Sequence, residues 1–577
     1  MGYCDEPSDL FLSFENRNEY SPELASQVLL SIMDTAIALF KSKNIPVFKP
    51  GGKKKDEEEY ERSIATPNLL YRFSRPDCVI QPENASQVQD IIKEAKLKKL
   101  KVTIKCAGHS YAGHSTAFQG ISLDLRKMKN VNLDLESETV TMESGCQWGD
   151  VYKTLINDRR KGNGFIINGG RCPPVGVSGF ILGGGLGPFT RSFGMGSDTL
   201  MEATVVTADG GKVTVNEKHS RNSKEGMLFW ALRGAGGGNF GVLVNMKLKV
   251  QKLRNSDGVV VAGRYQWFPD AKDMESFVPT MNSFYTTDWP NQMTIDSTWL
   301  CDLRQNTGDG VRFLTYFDGN KNEFDNLIDK YIKQPDLAKQ LKRRSLPEES
   351  TRFLHETLVA QWSEETVRSF PTNKTYTIYS SFVFTNDNNT IEQLTGIIKR
   401  EMETFRRLYS GEKVEFLVTW IHSGGKAMKN PPDTAFFWRK AVYQTYVTVE
   451  WEDKWMERDM RGFLGKVKKE LRPYSLNKEA AFINFPDGII SKKAYERAYF
   501  GGNRQELRRV KEIWDSDNFF EWDQGVQLPQ GAVDDPNADV DMPDDEKFTD
   551  SIAREQWKVF ESKNIRADLD RLAKGGF

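Results

Sequence analysis

The chain is poor in cysteine: six among 577 residues, at positions 4, 78, 106, 146, 172 and 301, with neither a Cys-x-x-Cys pair nor a metal-binding spacing. That argues against a disulfide scaffold and gives no signal for a metal centre. An excess of either charge is also missing, since Lys and Arg number 79 and Asp and Glu 80. No net field draws such a chain to nucleic acid or to an acidic lipid surface, so a small, roughly neutral substrate fits it best. Long apolar runs are absent too. The stretch 28–40 is short and contains Asp34, which predicts an amphipathic helix and no membrane span. The opening MGYCDEPSDLFLSFENRNEY carries acids where a secretory signal carries bases before an apolar core. The expectation is therefore a cytoplasmic protein, in which the sequons at Asn84, Asn373 and Asn388 have no role. No Walker lysine follows either glycine cluster, which argues against ATP chemistry.

What the chain does have is length, with 38% hydrophobic and 11% aromatic residues, enough for substantial cores. It also concentrates glycine between residues 169 and 187. That stretch, GGRCPPVGVSGFILGGGLG, sets small residues around Cys172, while Val175, Val177, Phe180, Ile181, Leu182 and Leu186 are too apolar for a solvated linker. Glycine gives up conformational entropy on folding, so this density implies backbone that must approach a large ligand closely. A cofactor carrying phosphates is the natural candidate.

Residues 1–65 read as an N-terminal extension, with a helix over 22–43 and a charge run, GGKKKDEEEYER at 51–62, read as a solvated loop. From residue 68 extended segments at 78–81, 102–106 and 121–124 surround a helix at 85–98. The segment 101–106 runs into Ala107-Gly108-His109-Ser110-Tyr111-Ala112-Gly113-His114, where glycines and Ser110 can turn N–H and hydroxyl groups onto a phosphate. Alone, a loop histidine is more commonly a hydrogen-bonding residue than a chemical one, and His114 has even less support than His109. Further strands at 140–143, 202–207 and 212–215 and a helix at 148–157 precede a second glycine cluster, residues 234–241, which enters a strand. These glycines follow a helix and do not open one, against a Rossmann nucleotide site.

Between 250 and 442, extended segments at 292–300, 311–317, 376–384 and 415–422 alternate with helices at 323–334 and 389–408, which predicts an antiparallel sheet backed by helices. After residue 529 the acids of 533–546 follow one another without a base, read as a flexible, solvated linker. A helix over 548–572, with Ile552, Trp557, Phe560, Ile565 and Leu569, would dock on its own chain or on a partner.

The His109 loop, the Cys172 stretch and the 234–241 cluster together resemble the berberine-bridge-enzyme-like FAD-linked oxidases of the vanillyl-alcohol-oxidase fold. Ala107-Gly108-His109 and Arg171-Cys172-Pro173-Pro174-Val175-Gly176 stand at that family's two flavin-tethering motifs. The stretch 436–453 resembles its return strand, AAFINFPD at 480–487 its Tyr-x-Asn-Tyr motif, and the run around Tyr499, Asn503, Leu507, Lys511, Asp515 and Gln524 its C-terminal signature. The resemblance covers about residues 68–529. It implies an α+β fold: a two-part FAD-binding domain of the vanillyl-alcohol-oxidase type, over 66–250 and 451–530, and an antiparallel-sheet substrate domain over 251–450, with 531–577 as acidic linker and helix. It also implies FAD attached to both His109 and Cys172, with Lys105, Cys106, Ala107, Gly108, Ser110, Tyr111, Gly176, Ser178, Gly179, Gly183, Gly237, Asn239, Gly241, Val242 and Asn503 around it.

Three departures bear on mechanism. Phe180 stands where the family has a histidine near the flavin pyrimidine, which removes a hydrogen-bond donor from the reduced ring. Phe485 and Gln444 stand where members carry a base, and neither removes a proton at ordinary pH. Alternation along the return strand puts Gln444, Tyr446, Thr448 and Glu450 on one face; if Gln444 faces the flavin as the resemblance implies, Tyr446 is the best base, with core packing as its alternative role and His422 and Tyr379 weaker. Val175 falls where a small residue in family oxidases leaves dioxygen access. The expectation is an FAD-dependent oxidase of a small specialised metabolite, monomer or homodimer, without metal or nucleic acid. Carbohydrate or alcohol oxidation stays open, opposed by the aromatic residues Trp299, Tyr316, Phe317, Trp420, Phe436 and Trp438 of the substrate region. A flavin-bound, non-redox cyclase also stays open, as does a scaffold role for the C-terminal helix.

Overall fold

The computed structural model describes residues 22–66, 68–110, 112–157, 164–270, 274–305, 307–350, 375–429 and 431–541. Tyr111, the acids beyond Asp541 and the helix expected over 548–572 lie outside the described residues.

Among the described residues three large sheets carry the fold, beside a two-stranded pairing of Gln251–Lys252 with Phe165–Ile166. In the first, strands Cys78–Ile80, Ile121–Asp124 and Val102–Lys105 run parallel in that order, and Val47–Phe48 joins antiparallel at the outer edge of Cys78–Ile80. Cys78, Val79, Ile80, Ile121 and Leu123 are fully buried, as parallel strands covered on both faces require. Helix Ala85–Leu97 supplies one cover. Asn84 caps it by accepting from the Gln87 N–H at 3.0 Å, and Val88, Ile91, Ile92 and Ala95 form its buried stripe. Helix Pro22–Ser42, expected from the sequence, lays Met33, Ala36, Ile37 and Phe40 into the same core.

The charge run is not a solvated loop. It forms helix Lys54–Ile64, because Tyr60, Ser63 and Ile64 recur on one side and are buried while most of the charges face outward. The Tyr60 hydroxyl donates to Pro76 O at 2.8 Å, which locks this helix to the sheet.

The second sheet is antiparallel throughout, in the order Val131–Asp134, Thr139–Glu143, Val242–Lys249, Leu200–Val206 and Lys212–Asn216. The third has seven antiparallel strands, ordered Ser345–Glu349, Val259–Trp267, Gly310–Phe317, Met293–Asp302, Val414–His422, Tyr443–Trp451 and Tyr376–Phe384. Side-chain alternation divides this sheet. Trp299, Phe313, Phe317, Phe416, Trp420, Val447 and Trp451 pack into one core with residues of helices Met274–Thr286, Lys321–Tyr331, Asn388–Leu408 and Glu457–Leu471. Asp296, Thr298, Thr419, Tyr446 and Ser381 take the other face.

The acidic stretch after residue 533 is likewise no free linker where it is described. Asp534 pairs with Arg497 at 3.3 Å and Arg504 at 2.8 Å, and Asp541 with Arg472 at 2.9 Å and Lys468 at 3.2 Å. Lys468 also meets Asp487 at 2.7 Å, with both side chains buried. The bases that hold these acids come from 26 or more residues upstream, beyond the reach of a local charge count.

Candidate active site

The loop that follows strand Val102–Lys105 is shaped by glycine. Gly108 has φ +78, and a Cβ there would lie 2.8 Å from Lys105 Cε. Lys105 runs beneath the loop and donates from Nζ to Ser63 O at 2.6 Å, which ties helix Lys54–Ile64 to the site. Burial lowers its pKa, against the pull of Asp124. Cys106 points down, its thiol 2.8 Å from Ser144 O, and burial pushes its pKa up.

His109 is exposed on this loop while protein crowds round it. Desolvation, helped by the Lys105 charge, lowers its pKa to about 4, so the imidazole is neutral at pH 7. Ser110 does not wait for a phosphate: its hydroxyl lies 2.5 Å from His114 Nδ1. His114 stacks on Trp522 with centroids 4.2 Å apart, and burial lowers its pKa to about 4 as well.

The Cys172 stretch lies directly against this loop. A Cβ on Gly176 would stand 2.4 Å from Cys106 Sγ and 3.1 Å from Ala107 N, so only glycine lets the two backbones meet. Trp148 N donates to Val175 O at 3.1 Å, Gly149 N to Pro173 O at 2.9 Å and Val177 N to Cys146 O at 3.0 Å, which together fix the turn that carries Cys172. Cys172 and Val175 are half-buried. The turn leads into helix Val177–Leu182, where the Ser178 hydroxyl donates to Ser144 O at 3.0 Å. Phe180 turns its ring into the protein, edge-on to Trp148 at 5.0 Å and against Gly170 and Gly185.

The second glycine cluster is stitched to the same helix, since Gly234 N and Gly236 N both donate to Leu182 O at 2.9 Å. Among the described residues nothing lies within 4 Å of a Cβ position at Gly179, and at Gly237 only Leu182 Cδ1 does, at 3.6 Å. Other candidates of this region serve the frame. Asn239 donates to Ala235 O at 3.0 Å and accepts from Val526 N at 2.9 Å, Gly241 packs against Val205, and Val242 is buried. Asn503 donates to Ala435 O at 3.0 Å. Gly183 is held by Asn484, whose amide donates to Phe180 O at 2.9 Å. Asn484 lies in the motif quoted from the sequence, yet its role in fixing the Cys172 helix shows only in three dimensions.

Across from these loops stands the unbacked face of the seven-stranded sheet. Tyr443, Val447, Val449 and Trp451 belong to the helix-backed core, so Gln444, Tyr446, Thr448 and Glu450 take this face. Tyr446 is half-buried, its ring 4.6 Å from Phe485. Its phenol feels the Arg171 guanidinium. Arg171, one residue before Cys172, is buried and forks onto Asp296 of the sheet, with Nη2–Oδ1 at 3.0 Å, and donates to Leu186 O at 2.5 Å. His422 N donates to the same carboxylate at 2.9 Å. The His422 ring, by contrast, points to the helix-backed side, stacks on Tyr443 and accepts from Ile295 N at 3.3 Å, while burial lowers its pKa well below the ordinary value. It is not placed to act with Tyr446. Tyr379 shares the Tyr446 face, opposite Thr448.

The aromatic residues of the substrate region divide between the two faces: Phe436 and Trp438 pack in the cluster that Tyr446 joins, and Tyr316 lies under Arg171. Trp299, Phe317 and Trp420 lie in the helix-backed core, and the cross-strand row on the other face reads Arg312, Thr298, Thr419, Tyr446, Ser381.

The donor set fits a dinucleotide cofactor with a reactive ring. Gly179 and Gly237 present backbone unobstructed by the described residues, the Ser115 hydroxyl is buried without a hydrogen-bond partner among them, and a neutral imidazole and a half-buried thiol stand on two loops in contact. Among the described residues no cluster of His, Cys, Asp and Glu could hold a metal ion.

Two family models match the chain: an FAD binding domain over residues 76–216 and "Berberine and berberine like" over residues 481–527. Monolignol oxidoreductase AtBBE-like 13 of Arabidopsis thaliana is 25% identical over 491 residues, which span 80% of this chain and 86% of that protein. An uncharacterized FAD-linked oxidoreductase, YgaK of Bacillus subtilis (strain 168), is 24% identical over 485 residues, 82% of this chain and 95% of that one. The structure of berberine bridge enzyme from Eschscholzia californica superposes with a TM-score of 0.70 at 21% identity, covering 86% of this chain and 98% of that one. At that identity the superposition speaks for the fold.

Proposed function

Since the chain belongs to the berberine-bridge-enzyme-like FAD-linked oxidoreductases, we propose that it oxidises a small specialised metabolite with dioxygen as acceptor, holding FAD through both His109 and Cys172. When bound, FAD supplies a two-electron acceptor that takes hydride from a substrate carbon and passes the electrons to dioxygen, giving hydrogen peroxide. The observation that carries this reading is Gly176 seated on Cys106 and Ala107, which makes one wall of the two loops bearing His109 and Cys172. A neutral His109 keeps a nitrogen lone pair for its link. Gly179 and Gly237 offer N–H groups to the phosphates.

Tyr446 is the group that receives the substrate proton, since Gln444 and Phe485 beside it have no basic atom. The Arg171 charge favours electron density on its oxygen, tempered by Asp296. Val175, small and half-buried on the Cys172 turn, leaves room for dioxygen. No helix among the described residues is long and apolar enough to cross a membrane; a cytoplasmic location belongs to the same proposal.

A second reading, oxidation of a sugar or other polyol, draws support from the polar row Arg312, Thr298 and Thr419 on the sheet face, where the two threonine hydroxyls lie 3.2 Å apart. Both readings start from the same measurement: denaturing mass spectrometry of wild type, His109→Ala and Cys172→Ala. Wild type is expected to keep FAD after denaturation, and each variant to keep it through the remaining link. Release of all FAD from wild type sinks the double tether. Anaerobic mixing with a panel of amines, alcohols, phenols and sugars then separates the substrate classes by which of them bleaches the flavin. Turnover without bleaching or peroxide means a non-redox cyclase.

A further inference from the structure

Arg191 carries a positive charge into the protein without meeting a carboxylate there. Its side chain is 4% exposed, and it forms no ion pair among the described residues. Burial lowers its pKa only to about 10, so the guanidinium stays charged at neutral pH. Nε donates to Met293 O at 2.7 Å, Nη1 to Ser423 O at 2.6 Å, and Nη2 to Trp289 O at 2.5 Å and Pro290 O at 3.4 Å. One Nη1–H is left over. Carbonyl dipoles orient a buried charge without neutralising it, and buried charges in folded proteins are paired.

A cavity of about 60 Å³ opens beside this arginine, with His422, Gly424, Asp288 and Lys429 among its walls. His422 brings a donor. Its Nδ1 accepts from Ile295 N at 3.3 Å, which puts the hydrogen of the neutral imidazole on Nε2, and that N–H has no acceptor among the described residues. The side chain is 1% exposed and stacks on Tyr443, which holds it in this pose. Gly424 leaves the approach to Arg191 clear, since it has φ +77 and a Cβ there would stand 3.2 Å from Nη1. Asp288 and Lys429 are exposed, so they form the rim, where solvent screens both charges. A single water needs roughly 10–15 Å³ of such space, and the cavity has room for a group of several heavy atoms.

We propose that this cavity binds one small oxyanion, of sulfate or phosphate size, as the counter-charge of Arg191. The leftover Arg191 Nη1–H and the His422 Nε2–H donate to its oxygens, and the Lys429 ammonium reaches it from the rim. The guanidinium repels a cation, and a neutral ligand leaves the charge unpaired. Arg191 stands on helix Thr190–Phe193, just beyond the Cys172 stretch, while the carbonyls that hold it belong to the seven-stranded sheet and to loops at its strand ends. A bound anion therefore strengthens the seam between that helix and the sheet. It arrives either as a free ion or as the phosphate of a metabolite whose remainder projects past the rim. The oxidase reading plays no part in this site.

Crystals of the full chain with its cofactor, grown without oxyanions and soaked in selenate, are expected to show an anomalous peak within hydrogen-bond reach of Arg191 Nη1 and His422 Nε2. In solution, inorganic phosphate, sulfate and glycerol 3-phosphate are titrated at constant ionic strength, and thermal unfolding of the same holoprotein is followed. The midpoint is expected to rise with the oxyanion as ligand linkage requires. Tighter binding of glycerol 3-phosphate than of inorganic phosphate assigns the site to a phosphorylated metabolite, and the reverse order to the free ion. Two exposed rim residues test the charge without disturbing the core: Asp288→Asn is expected to tighten the apparent Kd about threefold and Lys429→Glu to weaken it at least as much. A cavity without selenate overturns the site. So does a selenate peak with no response in solution, which is an adventitious ion only. Finally, if Asp288→Asn lowers the midpoint and leaves the Kd unchanged, Asp288 is itself the counter-charge and the proposal falls.

Discussion

Glycine at 176 and tyrosine at 446 make opposite demands on experiment. Gly176→Ala places a methyl 2.4 Å from Cys106 Sγ, an overpacking that costs about 1–3 kcal/mol and separates the loops that carry His109 and Cys172. The expected result is a folded but less stable protein with substoichiometric FAD, read by absorbance after denaturation. Tyr446→Phe keeps the ring against Phe485 and removes the hydroxyl. Full FAD content with flavin bleaching slowed about 100-fold is expected, and an undiminished rate would remove Tyr446 from proton transfer. His109 and Cys172 stand out in the sequence because glycine and proline frame them, and the structure sets their loops side by side. Arg171 was not, since its partner Asp296 lies 125 residues on and nothing in either neighbourhood announces the other. His422, a weaker candidate base, sits one strand position out of phase with the face that carries Tyr446, and alternation places its ring on the helix-backed side.

At the scale of elements, periodicity decided what could be read. The seven-stranded sheet was half visible, because strands such as Tyr376–Phe384 and Val414–His422 are bounded by clear turns. Helix Lys54–Ile64 was missed because charges outnumber the few residues it buries, and the docked acids after 533 because their partners come from other elements. That docking gives a test. Burial opposes the charge on Asp541, but Arg472 and Lys468 outweigh it and hold the carboxyl at about 2. Its folded pKa is thus below its unfolded value of about 3.9, so its contribution to stability is complete above that value and is lost as pH falls toward 2. Asp541→Asn leaves Arg472 and Lys468 with a missing charge in a buried cluster and is expected to lower unfolding free energy by about 3–5 kcal/mol near pH 7. In urea titrations the gap between variant and wild type should narrow below pH 3; a gap independent of pH would mean the ion pairs are not its source.

Over the whole molecule, the two histidines of the first loop impose a pH dependence of their own. Burial lowers His114 to about 4, below the unfolded value of about 6.5, so the unfolded chain binds more protons between those values. Stability is complete above about pH 6.5 and falls as pH drops toward 4, and His114→Asn is expected to flatten that limb of the urea midpoint against pH. The same residue is covered by Trp522, 408 positions further along. Ser63 holds Lys105, Gly176 packs on Cys106 and Ala107, and Trp522 stacks on His114, so the first and last thirds of the chain both shape this loop. A ribosome that has delivered residue 500 has therefore made both proposed tethering residues and still lacks the ring that closes over the His109 loop. Nascent chains arrested there are expected to carry no covalent flavin, while full-length chains released into the same extract acquire it: attachment waits for the end of synthesis.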